Sequence, residues 1–500
     1  MQLLSIIAFA AVFWRAELTR FEPLVGQNEI GLTLLIALSP SVLIAVLGFV
    51  CIRRTQSFVR RHPDSPETGL FSYHRCAVVF RGIAGAAFLA LTFLTPWSAW
   101  FDFRQIHPAL QILGDLASLF PFCLSALSIW ISGYFVEWKI RAEDGLVDVV
   151  VTTERFTGSR FRSYFDFQLR HQFLTVAVPM TIILFASNLT EAYEEPLQRA
   201  FHSTWAPDTV LGAVGVLVFI LAPILLRYIW RTHSLESGEL RGRLEGLCDR
   251  IGLRVRDILV WSSDGLMINA AVMGIFPSLR YVLLSDALLK TMTTDQIEAV
   301  FGHEAGHVKH CHIQFFLVFA FVGWLIVAGL MEWVGFTMKG ESWTEQAVSM
   351  TVEGAGILAT VLIWCLGFGW LSRRFERQAD LFGSRCANPV AEECHLPCGL
   401  HPDGMTTVDD STRVCATGAA IFSGALRRVA ALNGIPLEEP SWRHSSIANR
   451  IRSLRSMAGD PDRAFRFTRL LRRIKLFLTC TAVVGALASV VYILVVYRSK

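Results

Sequence analysis

Long apolar runs set the character of this chain. A helix needs about 20 apolar residues to cross a bilayer core. Eight windows meet that length: 30–52, 83–101, 110–136, 173–189, 209–230, 313–336, 351–371 and 476–497. Segment 1–14 is apolar as well, but it is short for a span and has no basic start, so it suits neither a signal peptide nor a full crossing. It stays open as a short extra segment. Between the runs lie two large polar regions, 231–312 and 372–475, where apolar residues recur at helical spacing instead of continuously. The pattern predicts a mainly α protein, a polytopic membrane bundle of about eight transmembrane helices.

Composition supports this reading. Of the 500 residues 53% are hydrophobic and 18% charged, and mean hydropathy is +0.45. Soluble globular chains carry about 25% charged residues. Disorder, a coiled coil and an ordinary soluble enzyme are excluded. A net charge of +4 is too small to imply nucleic acid, and none is expected as a partner.

Basic residues predict orientation, because short cytoplasmic loops collect Lys and Arg. Five lie in 53–75 (Arg53, Arg54, Arg60, Arg61, Arg75) and six in 137–171 (Lys139, Arg141, Arg155, Arg160, Arg162, Arg170). The alternate loops carry one each: Arg104, Arg199 and Lys339. Both large polar regions are therefore expected in the cytoplasm. The basic run Arg463, Arg466, Arg469, Arg472, Arg473 and Lys475 precedes the last window. It reads as a stop-transfer flank or as a helix lying on anionic lipid. Asp115 and Glu353 are charges within or near spans, where an interface or a water-filled cavity would explain them.

The chemistry concentrates in the polar regions. Residues 285–312 read SDALLKTMTTDQIEAVFGHEAGHVKHCH. Thr294 with Gln296 and Glu298 predicts a capped helix start, and His303-Glu304-Ala305-Gly306-His307 continues that helix. Two histidines four apart share one helix face, so both imidazoles can reach one ion. Glu304, beside the first of them, suits a general base. This spacing is the H-E-x-x-H zinc-protease signature. A catalytic zinc needs a third protein ligand. Glu376 and Asp380, again four apart, follow two spans later: Glu376 as ligand, Asp380 accepting a hydrogen bond from a ligand imidazole. His310 and His312 read as interfacial histidines.

With these residues in place, the chain resembles the integral-membrane gluzincin proteases that include the type I CAAX prenyl proteases and the HtpX-type proteases. The matching pieces are NAAVMG at 269–274, LLSDALLKTM at 283–292, GHEAGH at 302–307, FERQAD at 375–380 and HSSIANRI at 444–451. The resemblance implies His303, His307 and Glu376 as zinc ligands and Glu304 as catalytic acid and base. It implies Asn269 and Ala270 on a substrate-binding edge strand. It also implies His444 and Arg450 acting on substrate or on the developing oxyanion. The family's motif there is His-Pro-x-x-x-x-Arg, and Ser445 stands in place of the proline.

One stretch interrupts the resemblance. Residues 386–415 hold Cys386, Cys394, Cys398 and Cys415. A second, structural ion, a disulfide and plain loop thiols all remain open readings.

The expected organisation is a membrane region over 1–230, a first catalytic part over 231–312, and two spans over 313–371. A second catalytic part follows over 372–462, with the cysteine insertion, and then a basic segment and span over 463–500. The expected function is a membrane-embedded zinc endopeptidase, cutting membrane-associated or membrane-protein substrates from the cytoplasmic face of a bacterial inner membrane. The alternative is a catalytically idle scaffold or sensor that keeps the protease fold.

Overall fold

The computed structural model describes residues 1–17, 23–62, 66–104, 106–143, 157–263, 267–338, 344–387, 414–433, 435–458 and 460–498. Among these, eight helical stretches are long and apolar enough to cross a membrane. Each overlaps one of the eight windows anticipated from hydropathy, but the second runs Ser72–Leu94, earlier than the anticipated 83–101, whose end is a separate 3-10 turn at Trp97–Phe101. Segment 1–14 lies within a separate shorter helix, α1 (Gln2–Glu17). The chain divides into two compact units. The first holds residues 1–233, 260–268 and 285–291; the second holds 234–259, 269–284 and 292–500.

The first unit is a helical bundle. Its long elements are α2 (Ile30–Arg61), α3 (Pro66–Leu94), α4 (Gln111–Ser118), α5 (Phe120–Glu143), α6 (Thr157–Gln168), α7 (Thr175–Ala192), α8 (Glu194–Phe201) and α9 (Ala206–Ile229). Phe9, Phe88, Trp97, Phe122 and Leu184 are buried together in one core cluster. Asp115 is buried beside it and is fully hydrogen-bonded. Gln111 Nε2 donates to Oδ1 and Asn188 Nδ2 to Oδ2, each at 2.8 Å. A carboxylate that finds amide donors on two helices clamps α4 to α7, because either partner lost would leave a buried polar group unpaired. Glu353 differs: it is exposed and accepts only from Ser349 Oγ at 2.8 Å.

Past residue 231 the chain mixes strand with helix. β1 (Thr232–Ser234), β2 (Asp257–Trp261), β3 (Ala270–Met273) and β4 (Tyr281–Ser285) form one sheet in the order β1-β2-β4-β3. β3 is therefore an edge. It runs antiparallel to β4, with Ala270 opposite Leu284 and Val272 opposite Val282. The hairpin turns at Gly274, whose φ of +99° suits glycine alone. Arg280 Nη1 and Nε donate to the carbonyls of Arg254 (3.0 Å) and Gly274 (3.3 Å), fixing the turn.

Helix α10 (Glu239–Ile251) precedes β2, and α11 (Asp286–Thr291) and α12 (Thr294–Lys309) follow β4. The cap of α12 is Thr293, one residue before the position expected from sequence. Its hydroxyl accepts from the Gln296 N–H, and the Gln296 side chain accepts from the Thr293 N–H. This reciprocal pair satisfies two donors that the helix start leaves open. Arg243 of α10 donates to the buried Glu298 carboxylate at 2.6 Å, tying α10 to α12. Then come α13 (His312–Met338) and α14 (Glu345–Leu362). α14 passes through a π-helical turn, Ile363–Phe368, into α15 (Gly369–Cys386) without a break. Helices α16 (Ala416–Leu432), α17 (Ile447–Ala458) and α18 (Pro461–Arg498) complete the unit.

The packing of α12 on α15 positions the chemistry. It is close because glycine faces backbone. A Cβ on Gly383 would sit 2.9 Å from both the Ala299 carbonyl oxygen and the His303 amide nitrogen. A Cβ on Gly302 would sit 2.5 Å from the Cys386 Cβ. Backbone atoms cannot rotate aside as a side-chain tip can, so a methyl at Gly383 must push the helices apart. Gly383→Ala should cost about 1–3 kcal/mol of stability, the usual range for overpacking. Thermal melting in detergent checks this. Gly354→Ala is the control, since nothing lies within 4 Å of its added methyl. An equal melting temperature for the two variants would refute the tight-packing account.

Candidate metal centre

Helix α12 presents His303 and His307 one turn apart, with their Nε2 atoms 3.3 Å from each other. α15 brings Glu376 against both. A carboxylate oxygen lies 3.6 Å from His303 Nε2, and the other lies 3.7 Å from His307 Nε2. A tetrahedral zinc with bonds of about 2.0–2.1 Å holds its ligand atoms about 3.4 Å apart. These separations lie near that figure, the two to Glu376 reaching different oxygens, and one ligand atom from each residue lies within 4.8 Å of the others, so the donor set fits zinc in its chemistry and approximately in its spacing. Among the described residues, this is the group of His, Cys and carboxylate side chains that converges closely enough to hold an ion.

The surroundings of the ligands are mostly buried. Asp380, one turn beyond Glu376, sets Oδ1 3.0 Å from His303 Nδ1. The contact is close but lies off the straight line of an ideal hydrogen bond. Arg450 of α17 clasps the same carboxylate, with Nε donating to Oδ2 at 3.0 Å. Its Nη2 also stands 3.7 Å from Glu376 Oε2. His444 Nδ1 lies 2.9 Å from Glu376 Oε1, and its side chain is half exposed. Arg373 holds the segment before His444 to α15 by donating to the Trp442 carbonyl at 2.8 Å. Ser445 has φ +66°, which a proline ring, locked near −65°, cannot adopt. The backbone seen here therefore excludes the motif's proline at this position.

Burial and charge tune these groups. Burial pushes the Glu304 carboxyl up to about 7; His303 opposes this and Glu376 adds to it. The Val272 N–H of β3 also hydrogen-bonds Glu304. Burial, then neighbouring His303, brings His307 down to about 3, so this ring is neutral with a lone pair to offer. Burial works against a charged His303 too, but the Asp380 contact outweighs it and raises its pKa above the ordinary value. Burial would likewise lower Arg450, and the Asp380 carboxylate reverses that.

The structure thus brings His303, Glu304, His307, Glu376, Asp380, His444 and Arg450 together. Ala270 opens edge strand β3, and exposed Asn269 precedes it. Arg450 is committed to Asp380, a contact that sequence reasoning did not anticipate. His310 is no part of the site: its ring packs edge-on against Phe382 at 5.5 Å. His312 is, although the sequence marked it only as interfacial. Its Nδ1 lies 2.9 Å from His307 Nδ1. Five residues separate the two, a spacing that helical periodicity does not place on one face. Cys311, at φ +55°, breaks the helix between them and turns His312 back. Cys386 is buried at the end of α15, and Cys415 caps α16 through its sulfur. Cys394 and Cys398 lie outside the described residues.

Comparison with known proteins agrees with this geometry. Residues 234–458 match the profile of peptidase family M48. A protease HtpX homolog of Archaeoglobus fulgidus is 26% identical over 215 residues, 39% of this chain and 61% of that protein. CAAX prenyl protease 1 of Saccharomyces cerevisiae is 28% identical over 173 residues, 31% of this chain and 38% of that protein. The chain thus spans under two thirds of the length of these relatives. The crystal structure of S. mikatae Ste24p superposes with a TM-score of 0.50 over 86% of this chain and 100% of that one, at 17% identity, a likeness of fold. Eight apolar helices together with these relatives make this a multi-pass membrane protein. Taken with the convergence of two histidines and a glutamate, the match shows that the segment 234–458 is similar to peptidase family M48.

Proposed function

We propose that this protein is a membrane-embedded zinc endopeptidase acting on membrane-associated or membrane-protein substrates. The observation that supports it most directly is the convergence of His303, His307 and Glu376, whose ligand atoms lie within 4.8 Å of one another, close enough to hold one zinc. Zinc held there would supply an activated water and polarise a peptide carbonyl. The chain's own residues do the rest. Glu304 takes a proton from the attacking water and delivers it to the leaving amine; burial, by raising its pKa towards neutrality, suits it to both transfers. His444, half exposed beside Glu376, donates to the oxyanion. Arg450 supports the site by fixing Asp380 and adds positive charge beside it. The edge strand β3 gives an extended peptide entering at Asn269 and Ala270 a sheet edge to lie along. An idle scaffold would need none of the residues that converge here.

The membrane regions extend the proposal. Loop charge favours an active site on the cytoplasmic side of a bacterial inner membrane. The organisation anticipated from sequence, with catalytic parts over 231–312 and 372–462 separated by two spans, serves this chemistry, since it delivers Glu376 on a helix continuous with a span.

Three outcomes test this reading. In the first, His303→Ala and His307→Ala lose both zinc and peptide cleavage, and Glu376→Gln loses most of its zinc. Glu304→Gln keeps zinc while cleavage falls at least about 100-fold. Asp380→Ala costs about 10–100-fold in affinity or rate. His444→Ala keeps zinc and loses mainly kcat, whereas Arg450→Ala, which leaves Asp380 without its cation, costs affinity or rate as Asp380→Ala does. Loss of zinc in Glu304→Gln would show the ligand set to be wrong. Metal analysis of the same samples counts one zinc per chain for this site; a second would mark the four cysteines as a further, structural site.

The second outcome concerns pH. Glu304 titrates at about 7 in the folded chain against 4.5 ordinarily. Below both values the carboxyl is neutral in either state. Between them only the unfolded chain ionises, so stability falls as pH rises through this window and levels off above it. Metal-free Glu304→Gln protein should therefore melt above the unaltered protein at about pH 8 and equal to it near about pH 4. A difference independent of pH would contradict the raised pKa.

The third outcome is topological. A reporter fused after residue 200 should read outside and one after residue 260 cytoplasmic; the same side for both would overturn the orientation.

A further inference from the structure

The metal-facing nitrogens of both histidines are Nε2, so their Nδ1 atoms face away from the ion site. His303 Nδ1 meets Asp380. His307 Nδ1 meets a second imidazole, Nδ1 of the fully buried His312, at 2.9 Å. The chain of contacts continues. His312 Nε2 lies 3.0 Å from Gln378 Oε1, and Lys475 Nζ lies 3.2 Å from that same oxygen. Lys475 also donates to the His310 carbonyl at 2.7 Å and stands about 5 Å from the Phe315 and Phe375 rings.

These contacts have one consistent hydrogen-bond direction. An ammonium only donates, so the Gln378 atom facing Lys475 is its carbonyl oxygen. His312 must then donate from Nε2 to that oxygen. A neutral imidazole carrying its hydrogen on Nε2 has its lone pair on Nδ1, where it accepts from His307. His307 then carries its hydrogen on Nδ1 and leaves Nε2 bare towards the ion. The opposite tautomer of His307 would bury a hydrogen in the ion site and set two lone pairs against each other at His312.

We propose that His312 is the positioning residue for His307, selecting its metal-binding tautomer, and that Gln378 and Lys475 hold His312 in the accepting orientation. Four helices, α12, α13, α15 and α18, thereby meet behind one ligand. The C-terminal helix, through Lys475, becomes a working part of the centre. This inference rests on the zinc reading above.

The test uses the full chain in detergent. Zinc affinity is measured by competition with a chelator, and melting is followed with and without metal. His312 stacks on Phe375 at 4.3 Å with the rings nearly parallel. His312→Phe keeps that stack and removes the acceptor. Its zinc affinity should fall about 10–100-fold, the usual cost of losing a ligand's hydrogen-bond partner, while metal-free melting stays close to that of the unaltered protein. Lys475→Met should lose a smaller factor, about fivefold, and Lys475→Arg should restore it. Affinity within about twofold for His312→Phe overturns the proposal. So does a melting loss as large without metal as with it, since that would mark a packing role. Should His312→Phe fail to fold, Gln378→Met decides by the same affinity criterion. If the unaltered chain takes up no zinc, the proposed function and this inference fall together. If it binds zinc, and Glu304→Gln still abolishes cleavage while His312→Phe binds as tightly as the unaltered chain, this inference fails alone.

Discussion

The centre depends on how closely two helices approach. Zinc-type ligands must converge within a few ångströms, and Glu376 lies 69 residues beyond His307 with two spans between. Only direct backbone contact between α12 and α15 closes that gap. Gly302 and Gly383 permit it, because each faces atoms that a methyl would strike. The same contact explains why Glu376, Asp380 and Gln378 share a helix with Gly383. A helix that must be close for packing also delivers Glu376, Gln378 and Asp380, and its continuity with the preceding span anchors it at one end.

Close packing has an electrostatic consequence. Glu376 and Asp380 are nearly fully buried, and Glu304 stands beside them. Buried carboxylates are tolerated only when paired. Asp380 is paired by Arg450 and His303, and Glu376 by His444 with Arg450 behind it. Glu304 is left with the weakest support, a backbone N–H and nearby charges. It is the carboxyl whose proton affinity rises towards neutrality, which is the property an acid–base group needs. The division between fixed carboxylates and one tuned carboxylate thus follows from which of them received a cation.

The membrane part obeys the same rule at lower stakes. Asp115 is buried and accepts one amide from its own helix and one from α7, whereas Glu353 stays exposed and is bonded by one serine. Both were visible as charges in apolar sequence. Their different fates came from neighbours far along the chain.

How much was legible in advance follows the range of each signal. Span number, the capped helix of His303 and His307, and the pairing of Glu376 with Asp380 are written in local patterns: an apolar length, a 3.6-residue period and an i, i+4 spacing. Such patterns act within a few residues, so the sequence alone determined a polytopic α protein carrying a metalloprotease motif. What it left undetermined spans long separations or depends on one backbone angle. Cys311 turns His312 onto His307 by adopting a left-handed conformation that no periodicity foretells. Arg450 chooses Asp380, 70 residues away, and Lys475 chooses Gln378, 97 residues away. Ser445 takes an angle closed to proline and so sets the approach of His444. These were decided only by tertiary structure, because the free energy of such contacts depends on which helices exclude water from each other, and that is a property of the packed molecule.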